Sequence, residues 1–587
     1  VGITSAVAKN GKEDAIDFLD ADTRTHREEK MKSMKPIPTT LMAVMLVVAL
    51  LLSACGTPAP TAAPEEPTMA PEEPTEVPEE PTAVPTEAPA GPEGSLTVAL
   101  STLEAETFLP WNGGGGRTPY LELIYEYLAY VDPETEEVTP GLATSWEMSD
   151  DGMSWTFEIR EGVPFHEDWG ELTAEDVAYS IEKIISDESI AGPAGSMRKL
   201  IESVEAVDTY TAVIHMLEPF PELLRGYLTD SNQTVIVCRE YVESVGEEEA
   251  NAHPIGTGAY TLAEEHQQAQ PIVLTVVDGV ENHWRVTPEF ETITFLNVPE
   301  EATRVAMLLA GEVDLAPISY DSIETIEAAE GLHIESVPRN WSPLIRFGGI
   351  VDPDINPDLY VAANPWTDVR VRQAMNYAVD KEAIAEEIFH GQAQPGGSSM
   401  PVPPFFDVEP YPYDPQEAMD LLAEAGYPDG FPVTLKTFTT NPGAELPLIG
   451  EAVALYWEDI GLDVTINQTD WGTVRGEWTG GQATTFVWTH RGLAFGDPLT
   501  ALNTDFGLNP FTTYYTPETD AMLVELGQEF DVEAREELAW EMGNYVRDQA
   551  TGVFLVFANE PYGASEQVGN WPTIRTRPQN IDLITRP

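Results

Sequence analysis

Cysteine is almost missing from this 587-residue chain: only Cys55 and Cys238 occur, so no disulfide-dense framework is available and stability must come from an apolar core. Positive charge is scarce too. Lysine and arginine number 29 against 100 aspartates and glutamates, a net charge of −71, and beyond Cys55 the lysines are Lys183, Lys199, Lys381 and Lys436 alone. A basic face able to grip nucleic acid is thereby excluded. The nine histidines are scattered, with no H-E-x-x-H pair, and no G-x-S-x-G nucleophile motif occurs. "GGGGRT" at 113–118 lacks the lysine and the spacing of a phosphate loop. "DPDINPD" at 352–358 sets Asp352, Asp354, Asn356 and Asp358 at alternate positions, yet Pro357 stands where a calcium loop needs glycine and Ala363 where it needs glutamate. A solvated acidic loop is expected there, and neither a cofactor nor a preformed metal site is expected anywhere.

Long apolar runs are also lacking. Residues 41–52 fall short of the roughly 20 needed to span a bilayer, but match the core of an export signal. Lys32 and Lys35 precede this run and Ser53 and Ala54 follow it, so 31–54 reads as a signal peptide. Leu52-Ser53-Ala54-Cys55 resembles the lipobox of bacterial lipoproteins. That resemblance implies cleavage before Cys55 and a diacylglycerol on its sulfur, which makes Cys55 a membrane anchor. Residues 1–30, polar and upstream of Met31 and Met34, are expected to be an upstream extension outside the fold.

What is present next is a repeat. Residues 55–94 carry "PEEPT" three times and contain nine glutamates. Proline lacks an amide donor and the glutamates repel one another, so the segment reads as an extended spacer with no core. Residues 1–54 hold seven basic and seven acidic side chains, so the whole net charge lies downstream of them. So acidic a surface repels itself unless cations screen it, which suggests a saline or cation-rich exterior. Cys238, in the apolar run "TVIVC", reads as a small buried hydrophobe.

Past residue 94 strands and helices interleave. "SLTVAL" (95–100), "WTFEIR" (155–160) and "TAVIHM" (211–216) read as strands. Thr173 followed by Asp176 forms a capping-box arrangement ahead of the apolar face Val177, Ile181, Ile184 and Ile185. Asp414 as N-cap, Pro415 at the first helical position and Gly426 at the stop outline a second helix. The length and the mixture point to an α/β architecture of more than one lobe.

Several stretches, in one order, resemble the large solute-binding proteins of bacterial ABC importers, the family that handles peptides, nickel and some sugars. They are "LATSWEMSDDGMSWTFEIREGVPFHEDWGELTAEDVAYSIEKI" (142–184), "HPIGTGAYTL" (253–262), "LLAGEVDLAPIS" (308–319), "DVRVRQAMNYAVDKEAIAEEIFHGQAQPGGSSMPVP" (368–403) and "YPYDPQEAMDLLAEAGYPDG" (411–430). The resemblance implies a two-lobed periplasmic-binding-protein-like fold with a hinge and an inter-lobe ligand cleft. Lobe I would comprise 95–340 and 560–587, and lobe II 341–559, with crossings near 338–345 and 553–560. His166, inside the first stretch, is expected to be structural.

Peptide-binding members of the family hold an amino terminus with an aspartate after a "GW" pair. In "FVWTHRGLAFGDP" (486–498) Trp488 matches the tryptophan, but Arg491 takes the aspartate's place and Asp497 follows only later. Arg491 either pairs with a ligand carboxylate or neutralises a neighbouring acid. Trp111 and Asn112, ahead of four glycines, match the family's early cleft loop, and Trp341, Trp471, Trp488 and His490 lie in other segments expected near the crevice. The reading is an extracytoplasmic, lipid-anchored, monomeric receptor that captures peptides and delivers them to an ABC permease and its ATPase subunits, with no catalytic residue. An oligosaccharide or other non-peptide solute is the alternative, and an exported lipid-anchored enzyme the remote one. Periplasm and cell surface both remain open.

Overall fold

A computed structural model describes residues 92–230, 234–400, 405–440, 443–493, 498–507, 509, 511–573 and 580–587. Residues 1–91, and with them the signal, Cys55 and nearly all of the spacer, lie outside the described residues. Among the described residues no helix is long and apolar enough to cross a membrane.

A single mixed sheet runs through the described residues. Its strands lie in the order Asp463–Gln468, Pro432–Thr437, Val487–Leu493, Leu332–Phe347, Val556–Ser565, Leu315–Pro317, Ser95–Leu100, Thr292–Asn297, Ile272–Val276 and Tyr260–Leu262. Pro432–Thr437 and Asp463–Gln468 are parallel, with the helix Leu446–Asp459 as their crossover. A four-stranded antiparallel sheet carries Ser154–Ile159 and Thr211–Met216 at its centre. In these two strands buried positions alternate with less buried ones, matching the period-2 pattern of the sequence.

Local sequence explains the helix ends. The Asp176 carboxylate accepts from the Thr173 amide at 2.9 Å and from its hydroxyl at 2.8 Å, fixing the start of Ala174–Ile185. Asp414 accepts from the Gln416 and Glu417 amides and starts Pro415–Glu424, and Gly426, at φ +96°, follows its end.

Two apolar cores form on the sheet. One gathers side chains from Leu96 to Phe295 and from Tyr562 to Ile584. The other gathers those from Leu308 to Ala558, Leu315 and Val337 excepted, with Ala99 added. The 16-residue strand Leu332–Phe347 and its partner Val556–Ser565 each belong to both: Val337 and Tyr562 pack in the first core, Trp341 and Ala558 in the second. Their ladder shifts register between Val337 and Trp341, where Arg339 takes a left-handed φ of +45° and its amide donates to the Asn559 side chain. Ion pairs also join the two sides. Arg339 meets Glu136, and Arg535 meets Glu222 at 2.6 Å with both side chains largely out of solvent.

Candidate functional site

The helix Trp471–Thr479 builds one wall of a cavity. Asp470 starts it, accepting from the Thr473 amide at 2.9 Å and the Thr473 hydroxyl at 2.6 Å. Positions 471, 475 and 478 fall on one helical face, so Trp471, Arg475 and Trp478 all line the same space. Strand Val487–Leu493 supplies His490, Arg491 and Gly492. Arg346 arrives from the neighbouring strand, in register with Trp488. Phe438 and Phe511 complete the aromatic side. A Cβ at Gly492 would lie 1.7 Å from the Ser399 carbonyl oxygen, so only glycine permits this close approach to the segment behind it.

The rings pack on one another. Trp478 lies 5.4 Å from Trp488, 5.1 Å from His490 and 5.3 Å from Phe511, centroid to centroid. Trp471 is 5.1 Å from Phe438 and 5.4 Å from His490. These are edge or tilted geometries of the kind that fix rings in place. The cavity volume is about 340 Å³.

The polar groups of the wall are strongly one-sided. Among the described residues Asp505 is its single carboxylate, and it is already engaged: Arg346 donates to it at 2.6 Å and the Ser399 hydroxyl at 3.0 Å. His490 Nδ1 lies 2.7 Å from the Arg491 carbonyl, which only accepts, so Nδ1 carries the proton and Nε2 is left as a bare acceptor. Burial, with Arg346 and Arg491 nearby, holds the imidazole well below its ordinary pKa and therefore neutral. Arg491 is half-buried, and burial lowers its pKa. Trp478 Nε1 and Arg346 Nε are buried donors with no protein acceptor among the described residues.

Of the residues singled out from sequence, Trp471, His490 and Arg491 meet in this cavity. Trp488 is fully buried behind it, lining a smaller adjoining cavity with Trp478. Trp341 is 1% exposed and packs against Tyr320 and Phe389 in the second core, its indole nitrogen donating to the Tyr320 hydroxyl at 3.3 Å. Trp111 packs in the first core beside Tyr179, and Asn112 adjoins it. The glycines that follow make room for other side chains of the protein: Arg117 fills the space at Gly113, Glu104 that at Gly114 and Gly116. Arg117 then donates to the carbonyls of Thr107, Leu109 and Pro110. Asp497 and Cys55 lie outside the described residues. Arg346, Arg475, Trp478 and Asp505 were not singled out, although Arg475 and Trp478 stand one and two helical turns beyond Trp471.

Metal-binding groupings of three or more His, Cys, Asp or Glu are absent among the described residues. In the 352–358 loop Asp352 and Asn356 spend their side chains on the amides of Asp354 and Asp358. Cys238 is buried, and burial pushes its thiol up to about 11.

Comparison with known proteins gives one consistent answer. Residues 137–512 match the family model "Bacterial extracellular solute-binding proteins, family 5 Middle". Heme-binding protein A of Haemophilus influenzae is 27% identical over 449 residues, 68% of this chain and 76% of that protein. The dipeptide-binding protein of Escherichia coli is 27% identical over 60% of this chain and 66% of its own. The glutathione-binding protein GsiB of Pectobacterium atrosepticum is 30% identical, and the match spans about half of each, 50% and 54%. Among solved structures, HbpA2 of Haemophilus parasuis aligns over 81% of this chain and 96% of its own with a TM-score of 0.68 at 21% identity. DppA of Helicobacter pylori, in complex with the peptide STSA, aligns over 84% and 97% with a TM-score of 0.60 at 22% identity. These structures share the two-lobed binding-protein fold.

Proposed function

The chain belongs to the bacterial extracellular solute-binding proteins of family 5, which serve ABC importers, and from that premise we propose that it captures short peptides and delivers them to a membrane permease. The observation that carries this reading is the aromatic-walled cavity of Trp471, Trp478, Phe438 and Phe511, with His490, Arg491, Arg475, Arg346 and Asp505 among its polar groups. Its volume of about 340 Å³ sits at the small end of the roughly 300–1,000 Å³ of ligand sites, which favours a ligand of a few residues. Relatives named for a dipeptide and for glutathione support the same class.

In this reading residues 31–54 direct export, Cys55 carries the lipid anchor and 55–94 hold the binding domain off the membrane as a monomer. Lobe I is 95–340 with 560–587, and lobe II is 341–559. The paired strands between the two cores act as the hinge, closing on ligand. Energy comes from partner ATPases, and the chain itself is not an enzyme. The tryptophans favour a second reading, an oligosaccharide stacked on their faces.

Native mass spectrometry of the full chain, purified without refolding, separates the two. Retained masses spaced as amino-acid residues are expected. Hexose-spaced masses would replace the peptide reading with sugar uptake, and turnover of the retained solute would replace both.

A further inference from the structure

The cavity wall is positively charged inside a chain of net charge −71. Among the described residues of the wall, three guanidinium groups, on Arg346, Arg475 and Arg491, face one carboxylate, Asp505, and that carboxylate already accepts from Arg346 and Ser399. Other buried arginines here have their partners. Arg285 lies between Glu126 and Asp582, and Arg372 donates to the carbonyls of Gln549, Ala550, Trp366 and Thr367. Arg491 and the exposed Arg475, by contrast, make no side-chain hydrogen bond or ion pair to a described residue. Trp478 Nε1 and Arg346 Nε, both buried beneath the wall, have no acceptor among the described residues either. Hydrogen-bond accounting therefore calls for an acceptor-rich partner. His490 Nε2, left as an acceptor, belongs to a neutral ring beside two arginines, a poor seat for an ammonium group.

We propose that this cavity selects anions: it holds its ligand through carboxylates on Arg491 and Arg475, with an apolar or aromatic body against Trp471 and Trp478, and its described residues offer no seat to a free α-ammonium. The proposal deepens the peptide reading and rests on it, narrowing the cargo to acidic peptides or peptides with a blocked amino terminus. Arginine suits the task because its planar fork meets a carboxylate with two parallel bonds. A local positive field within an acidic molecule also draws anions specifically to this place.

The test is titration calorimetry on the full chain with three probes. N-acetyl-Phe-Glu has two carboxylates and no amine. Phe-Ala amide has an amine and no carboxylate. Naphthalene-2,6-dicarboxylate has the charges without a peptide. The expected result is binding of N-acetyl-Phe-Glu, weakening as salt rises, and none of Phe-Ala amide. Arg491→Gln and Arg475→Gln should each lower affinity for the acetyl dipeptide at least about tenfold. The salt dependence is read on the unaltered protein, so a variant that misfolds does not remove the test.

Phe-Ala amide binding as tightly as the acetyl dipeptide would sink anion selection while leaving the peptide reading standing. Arginine-dependent binding of the naphthalene dicarboxylate alone would keep anion selection and end the peptide reading. Silence from both anionic probes, or affinity indifferent to salt and to both substitutions, overturns the proposal.

Discussion

His166 shows how a single buried side chain fastens two distant loops. Its Nε2 donates to the Gly258 carbonyl at 2.8 Å and its Nδ1 accepts from the Gly256 amide at 3.4 Å, so both ring nitrogens are satisfied only in the neutral form. Burial pushes its pKa down to about 4. In the unfolded chain an imidazole titrates near 6.5, so as pH falls from about 6.5 to 4 the unfolded state takes a proton that the folded state refuses. The stability that His166 contributes is present above that window and lost on the way down. Urea unfolding should therefore show the margin of the natural protein over His166→Asn shrinking by about 2 kcal/mol between pH 7 and 4.5. A margin constant with pH would mean the ring does not titrate as its surroundings require. At this scale the sequence was partly legible. Arg491 stood out because it replaces an expected acid, and Trp471 because it is aromatic. Arg346 and Asp505 meet across 159 positions, and nothing local to either announces the other.

At the scale of elements, three wall residues depend on one short helix. Trp471–Thr479 has nine residues, two of them glycine, and an isolated helix so short is marginal without its cap and its packing. Asp470→Ala removes the acceptor for the Thr473 amide and should destabilise the helix by about 1 kcal/mol. Trp471, Arg475 and Trp478 loosen together, so the retained solute should fall in native spectra while far-ultraviolet dichroism stays nearly unchanged. Undiminished occupancy would argue that the strand side alone holds the ligand. Elements with regular patterning were readable: Ser95–Leu100 and Thr211–Met216 coincide with the runs expected, and the capped starts at Thr173 and Asp414 are where their side chains indicated. The helix at 471 was not, because its glycines dilute the 3.6-residue period. Nor was the full strand Leu332–Phe347, since Pro338 and Pro343 interrupt its alternation, with Pro343 standing opposite Arg491 in the ladder.

The whole molecule is governed by its charge. At −71, like charges crowd a surface that only salt can screen, and the screening length falls from about 30 Å at 0.01 M to about 3 Å at 1 M. The melting temperature should rise steadily across that range in scanning calorimetry, and a flat or falling trend would show that surface repulsion does not limit stability. The fold was legible here through the order of the matching stretches rather than through residue physics. The cavity was not, because its lining is drawn from scattered segments between Arg346 and Phe511 and is assembled only by the sheet.

That sheet also constrains how the molecule can move. Leu332–Phe347 and Val556–Ser565 run between the two cores bonded side by side. Two independent tethers would let the halves slide, splay and swivel in any combination. A laterally bonded ribbon resists stretching and in-plane shear but yields to twisting and to bending across its thin dimension. The register shift between Val337 and Trp341 breaks the ladder at one place, so compliance concentrates there. Twisting and bending are therefore the soft deformations of this strand pair, along a path set by its backbone hydrogen bonds.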